Sequence, residues 1–311
     1  MVNGVNEAKV RIAAHAFAIV IAIVCAAGCS SIPPYASVSP DPATVRAFSI
    51  PLRVTDAGAL LVTVESSIGP LELVVDTGAD QPLLLRAAAD RHTALPRAGH
   101  EWSGRAHGAI TRRPVHTLGT LTLGPLQFRD VAVTVDDTAL PEFMGTDGLL
   151  GRRLLDGFTL DFDAPNGRLS MLPGGTLPEE VTASPEQWTA VPIDDLAYGP
   201  VIVVTLDDNP APRRVVLDTG AIAFGPDGFL GIIELPRGVA PTERPADGPP
   251  IHRPAVMRAG DQPIGPFPLY VIDHPQPPRT HGFLGNVLFA THRVVIDPAG
   301  LTVYLRPAAP R

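Results

Sequence analysis

Two short segments of the 311-residue chain repeat each other: Asp76-Thr77-Gly78-Ala79 and Asp218-Thr219-Gly220-Ala221. An aspartate pair can do acid–base work that a single aspartate cannot. Two carboxylates in hydrogen-bond contact cannot both ionise cheaply, so they hold one proton between them. The ionised member can then take a proton from water while the protonated member polarises a carbonyl. Such a pair titrates as a unit, and the residue types assign no separate roles to Asp76 and Asp218. Each Asp-Thr-Gly read alone is also an ordinary turn, because Asp and Gly favour turns. The flanks argue for more. Leu71-Glu72-Leu73-Val74-Val75 and Arg214-Val215-Val216-Leu217 run into the two aspartates and place them near a core. A buried aspartate needs a function or a partner.

The elements around the two segments repeat as well. An apolar pair bounded by glycine follows each one: Gly148-Leu149-Leu150-Gly151 and Gly282-Phe283-Leu284-Gly285. A strand–turn–strand pattern closes each copy. The first is Phe158–Asp163, Pro165-Asn166-Gly167 and Arg168–Leu172; the second is Val294–Asp297, Pro298-Ala299-Gly300 and Leu301–Leu305. The spacing is too long for a solenoid repeat and fits two homologous lobes. Pro173–Trp188 reads as their connection. Short β-branched runs bounded by Gly, Pro, Asp and Asn dominate the chain after its N-terminus. With 29 glycines and 35 prolines spread throughout, this is an all-β pattern of many short strands. At 45% hydrophobic residues the chain can bury a sizeable core.

A repeated Asp-Thr-Gly-Ala, each with an apolar strand before it and an apolar-apolar-Gly after it, resembles the aspartic proteases over roughly residues 50 to 308. The resemblance implies two homologous β-barrel lobes of the six-stranded type, with a dyad of Asp76 and Asp218 at their junction. It implies active-site loop support from Thr77, Gly78, Ala79, Thr219, Gly220 and Ala221. The threonines would bond across the interface, and the glycines would let the backbone turn tightly beside the carboxylates. The activity implied is endopeptidase hydrolysis by activated water, on an extended peptide or protein substrate. No metal or other cofactor is implied. A peptide- or partner-binding protein of the same fold that does not cut is the competing reading.

The first copy looks closer to retroviral proteases, because Asp80 extends its Asp-Thr-Gly-Ala and Arg152 follows its Gly-Leu-Leu-Gly. That resemblance implies an Asp80–Arg152 ion pair, charge-assisted and capable of being bidentate, with Asp80 touching substrate backbone. Ile222 and Asn286 stand at the matching places of the second copy, so lobe one would grip the peptide and lobe two would mainly supply Asp218. Gly104 to Gly108 reads as the tip of a hairpin flap contributing to substrate binding. Pro245, Pro249, Pro250 and Pro254 argue against a regular flap in lobe two.

The N-terminus reads as an address. Lys9 and Arg11 precede an apolar run from Ile12 to Ala27, too short to span a bilayer comfortably and of signal-peptide length. Ala26-Ala27-Gly28-Cys29 resembles a bacterial lipobox, which implies cleavage before Cys29, its lipidation and a membrane anchor. Cys25, the other cysteine, would leave with the signal, so no disulfide is expected. The expected organisation is a signal peptide at 1–28, a lipidated cysteine and flexible tether at 29–47, and lobes at 48–178 and 179–311. The product would be an exported monomer tethered on the periplasmic or cell-surface side of a bacterial membrane. A formal net charge of −8 without a basic patch argues against nucleic acid as a partner.

Overall fold

The computed structural model describes residues 36–308, apart from 57, 91–94, 104–110, 137–144, 207–208, 223, 226–227, 230, 236, 246–249 and 273–278. The signal-peptide and lipobox readings, Cys29 included, lie outside the described residues. Among the described residues no helix is long and apolar enough to cross a membrane.

The apolar runs become strands because both of their faces are covered. In Leu71–Asp76, Leu71, Leu73 and Val75 point into the main core, while Val74 packs with Ala59 and Leu61 on the other face. Burial on both faces favours a near-continuous apolar run over strict alternation. Leu60–Ser66 and Leu71–Asp76 pair antiparallel, with the turn closed by the Ser66 N–H donating to the Gly69 carbonyl at 3.1 Å.

Among the described residues, three large sheets and one two-stranded ribbon, Phe224–Gly225 with Gly228–Phe229, make up the β framework. Lobe one holds a nine-stranded sheet and lobe two an eight-stranded sheet. In lobe one, Gly148–Gly151 lies parallel to Leu71–Asp76 and antiparallel to Leu83–Leu85. In lobe two, Gly282–Leu284 lies parallel to Asn209–Leu217 and antiparallel to Gly231–Ile233. The repeat seen in sequence is thus a repeat of strand pairing.

The third sheet joins the lobes. Its six strands run in the order Thr189–Pro192, Thr302–Pro307, His292–Asp297, Phe158–Asp163, Arg168–Pro173, Phe48–Pro51. Both closing hairpins form, and they pair with each other through Leu160↔Ile296, Asp161↔Val295 and Phe162↔Val294. A buried ion pair crosses this seam. Arg293 Nε donates to Asp161 Oδ1 at 2.8 Å and Nη2 to Oδ2 at 2.7 Å. Arg293 also lies 5.5 Å from the Trp188 ring centre, at the end of the connection.

Part of the stretch read as a flexible tether is strand: Ser37–Ser39 pairs antiparallel with Gln127–Arg129 at the edge of the lobe-one sheet. In lobe one, Arg97–Ser103 and Thr111–Leu123 form a hairpin whose last pair is Ser103↔Thr111. Its tip, with Gly104 and Gly108, lies outside the described residues. At the comparable place in lobe two, the described residues hold only Ile251–His252, bridged to Glu243.

Candidate active site

Asp76 ends one apolar strand, and Asp218 follows directly after Leu217 ends the other. After each, the chain turns back on the carboxylate. Asp76 Oδ1 accepts the N–H groups of Gly78 at 2.9 Å and Ala79 at 2.8 Å. Asp218 Oδ1 accepts the Gly220 N–H at 2.8 Å. The two carboxyl groups are hydrogen-bonded to one another.

The glycines have a reason that the sequence did not reveal. A Cβ on Gly78 would overlap the Asp218 carboxyl, and a Cβ on Gly220 would overlap the Asp76 carboxyl. Each carboxyl therefore rests on the glycine of the opposite loop. Neither glycine has a positive φ, so close approach across the lobe junction, rather than a special turn conformation, demands glycine here.

The threonines lock the two loops face to face. The Thr77 N–H donates to Thr219 Oγ1 at 3.0 Å and the Thr219 N–H to Thr77 Oγ1 at 3.1 Å. The Thr77 hydroxyl donates to the Leu217 carbonyl at 2.7 Å, and the Thr219 hydroxyl to the Val75 carbonyl at 2.6 Å. Both residues are buried, and each hydroxyl satisfies one donor and one acceptor of the other lobe, as buried polar groups require.

The apolar-apolar-Gly segments support the loops from behind. The Arg152 N–H donates to the Ala79 carbonyl at 2.9 Å, and the Asn286 N–H to the Ala221 carbonyl at 3.4 Å. A Cβ on Gly285 would overlap the Ala221 carbonyl, and one on Gly151 would overlap the backbone of Gln81. Ala221 itself packs on Val201, Val216 and Phe283.

This setting acts on the protons. Burial raises the pKa of Asp76, opposed by the hydrogen bond from Asp218 and by the Ala79 and Gly78 N–H groups. Burial raises Asp218 well above the ordinary carboxylate range, and the charge of Asp76 and the bond to it push in the same direction. The two carboxyls thus favour holding one proton between them and titrate as a pair.

Beside the Asp76 loop, Asp80 carries the ion pair read from the sequence, in a different form. Arg152 Nη2 contacts Asp80 Oδ1 at 2.8 Å, and Arg153 Nη2 takes Oδ2 at 2.5 Å. The fork expected from Arg152 is thus split between two arginines, and the same Arg152 nitrogen donates across the lobes to the Ala197 carbonyl at 3.1 Å. Sequence reasoning missed Arg153, although its place next to Arg152 was a signal. It also missed the segment Asp194–Gly199. Arg214 holds that segment through Asp194 at 2.9 Å and Asp195 at 3.0 Å. Gly199, at φ 107°, sits so close to the Thr77 carbonyl that a Cβ would come within 2.7 Å. In lobe two, Ile222 packs against Ala59, Leu61 and Val74 of lobe one. An apolar contact thus joins the lobes here, whereas in the other half Arg152 does so through the Ala197 carbonyl.

Comparison with known proteins agrees with this geometry. Residues 61–154 match the family model described as aspartyl protease. A crystal structure of an aspartic proteinase from Irpex lacteus superposes on 85% of this chain and 98% of its own, with a TM-score of 0.58 and 14% sequence identity. No curated protein matches the chain. The family match covers lobe one, and the likeness to the solved structure shows that most of the chain has the two-lobed fold of an aspartic proteinase.

Proposed function

We propose that this chain is an aspartic endopeptidase in which Asp76 and Asp218 activate water against a peptide bond. The observation that supports it most is the reciprocal seating of the two carboxyl groups, each hydrogen-bonded to the other and resting on the opposite glycine. The ionised member takes a proton from water as the oxygen attacks the scissile carbonyl carbon. The protonated member donates to the carbonyl oxygen as negative charge develops there. The carbon–nitrogen bond then breaks, with a proton delivered to the departing nitrogen. Proton transfer of this kind contributes roughly 10²–10⁴-fold to a rate.

Asp80, held by Arg152 and Arg153, presents a carboxylate to the backbone of an extended substrate. The substrate is a peptide or protein, and the enzyme acts as a monomer. In the same reading the mature chain begins at a lipidated Cys29 and acts on the outer side of a bacterial membrane. Mass spectrometry of the mature N-terminus checks the anchor: a diacylglycerol on Cys29 supports it, and an intact residue 1–28 segment refutes it. Cleavage of a mixed peptide library from pH 3 to 7 checks the activity. Cut products support the peptidase, whereas peptides retained without cutting favour a binding module of the same fold.

A further inference from the structure

The two halves carry matching backbone clasps beside their aspartate loops, closed by different chemistry. Glu72 stands four residues before Asp76, and Arg214 four before Asp218; Asp147 precedes Gly148, and His281 precedes Gly282. In lobe one the Asp147 N–H donates to the Glu72 carbonyl at 2.8 Å, and the Glu72 N–H donates back to Asp147 Oδ2 at 2.9 Å. In lobe two the His281 N–H donates to the Arg214 carbonyl at 2.7 Å, and the Arg214 N–H donates back to His281 Nδ1 at 3.0 Å. A carboxylate thus closes one clasp and an imidazole the other. The carboxylate accepts throughout the neutral range. The imidazole accepts only while that nitrogen is unprotonated, because both nitrogens of the cation are donors.

The side chains at the clasps are reversed in charge as well. Glu72 pairs with Arg53, whereas Arg214 Nη2 pairs with Asp194 at 2.9 Å and Asp195 at 3.0 Å. Asp195 Oδ1 accepts the Ala197 N–H at 2.9 Å, and the Ala197 carbonyl accepts Arg152 Nη2 at 3.1 Å. The same Arg152 nitrogen holds Asp80 at 2.8 Å. A series of hydrogen bonds therefore runs from His281 through Arg214 and the lobe-crossing segment to Asp80.

Among the described residues, the charged groups acting on the His281 ring are Arg213 and Arg214 on the neighbouring strand, and Glu234, whose N–H donates to the His281 carbonyl. Burial, then Arg213 and Arg214, lower the His281 pKa from the ordinary 6.5, against Glu234 and the Arg214 backbone. The folded chain thus resists protonation of the ring, and the clasp is intact above 6.5 and strained as pH falls below it. Protonation sets a third cation beside two arginines and turns Nδ1 from an acceptor into a donor facing the Arg214 N–H. Asp195 behaves differently. The Ala197 N–H, the Leu196 N–H and Arg214 hold its pKa below the ordinary carboxylate value, so it stays charged while His281 titrates.

We propose that His281 is a positioning residue whose neutral ring, acting through Arg214 and the Asp194–Gly199 segment, keeps Arg152 and Asp80 in place for an extended peptide. The proposal rests on the reading that Asp80 meets the substrate backbone, and it makes the grip on substrate sensitive to mild acid.

NMR titration of the full-length chain from about pH 8 to 4 tests the relay without any cleavage. The His281 ring and the Arg214 amide should titrate together, with one midpoint below 6.5, and the Ala197 and Gly199 amides should follow. A His281 titration that leaves the Arg214 and Ala197 amides unmoved overturns the proposal. Peptide affinity, as KM or as Kd where the peptide is held uncut, is then compared with that of His281→Asn, which offers an amide oxygen that does not titrate. The ratio of wild-type to His281→Asn affinity cancels the titration of the aspartate pair itself. Wild-type affinity should weaken at least fivefold relative to the variant as pH falls through the midpoint, with a smaller change in kcat. Arg214→Ala should weaken affinity at every pH, and Arg214→Lys should restore part of it. A constant ratio across the range overturns the proposal. The NMR relay is measured on the wild type, so it decides the matter even where a variant fails to fold, and it separates failure of this proposal from failure of the peptidase reading.

Discussion

The Asp218 carboxyl occupies the place where a side chain on Gly78 would begin, and Asp76 stands in the same relation to Gly220. Even one methyl group at either glycine forces the loops apart. Gly78→Ala and Gly220→Ala should therefore separate the carboxyls, abolish peptidase activity and lower Tm. Activity within tenfold of wild type in a folded Gly78→Ala protein would contradict the close approach.

The threonine lock should behave as one unit. Thr219→Ser keeps the hydroxyl and both of its bonds and should be nearly neutral. Thr219→Val leaves the buried Thr77 N–H and the Val75 carbonyl without partners, and each orphaned group costs about 1–3 kcal/mol. Denaturant unfolding of the two variants measures the difference.

Asp80 has two arginine partners, so removing one should expose the other's contribution. Arg152→Ala should reduce the effect of Asp80 only in part, and Arg152→Ala/Arg153→Ala should reproduce Asp80→Asn. The pairs are partly exposed, so each contributes less than about 1 kcal/mol to stability and weakens with salt. Double-mutant cycles on kcat/KM decide the matter, because strict additivity of Asp80 with both arginines would refute the coupling.

The seam between the lobes should be less forgiving. Arg293 and Asp161 are both buried and bonded through two parallel contacts. Arg293→Ala strands a buried carboxylate and should cost about 3–5 kcal/mol. Arg293→Lys cannot reproduce the fork and should recover only part of that. Chemical denaturation of both variants checks the ranking.

The raised pKa of Asp218 makes a signed prediction about pH. A carboxyl whose folded pKa lies above its unfolded value holds more protons when folded. Stability conferred by the shared proton is complete below the ordinary value of 3.8 and is lost as pH rises toward the folded value. The slope approaches about 1.4 kcal/mol per pH unit inside that window. Asp218→Asn should flatten this part of the stability–pH curve; an unchanged curve would place the proton elsewhere.

Much of this arrangement was legible because the repeat carries its own alignment. The two Asp-Thr-Gly-Ala segments, their apolar strands, the Gly-bounded pairs and both closing hairpins each have a local signature. The pairing of the two hairpins through Leu160 and Ile296 has none, because strands far apart in sequence show their partner only in three dimensions. For the same reason Ser37–Ser39 looked like tether, and the Asp194–Gly199 segment was not connected with Thr77. Asp80 and Arg152 were readable as partners, but the role of Arg153 depends on which carboxylate oxygen each guanidinium can reach. The glycines were attributed to backbone freedom, whereas a carboxyl from the other lobe is what excludes a side chain.

Peptide cleavage by a soluble form beginning at Ser30, assayed from pH 3 to 7 beside Asp76→Asn and Asp218→Asn, tests the shared-proton mechanism most directly. Circular dichroism should first establish that all three proteins are folded. The account predicts cleavage by the wild type and its loss in both variants, because one amide in the pair can neither share the proton nor activate water. Cleavage surviving in either folded variant would contradict the dyad.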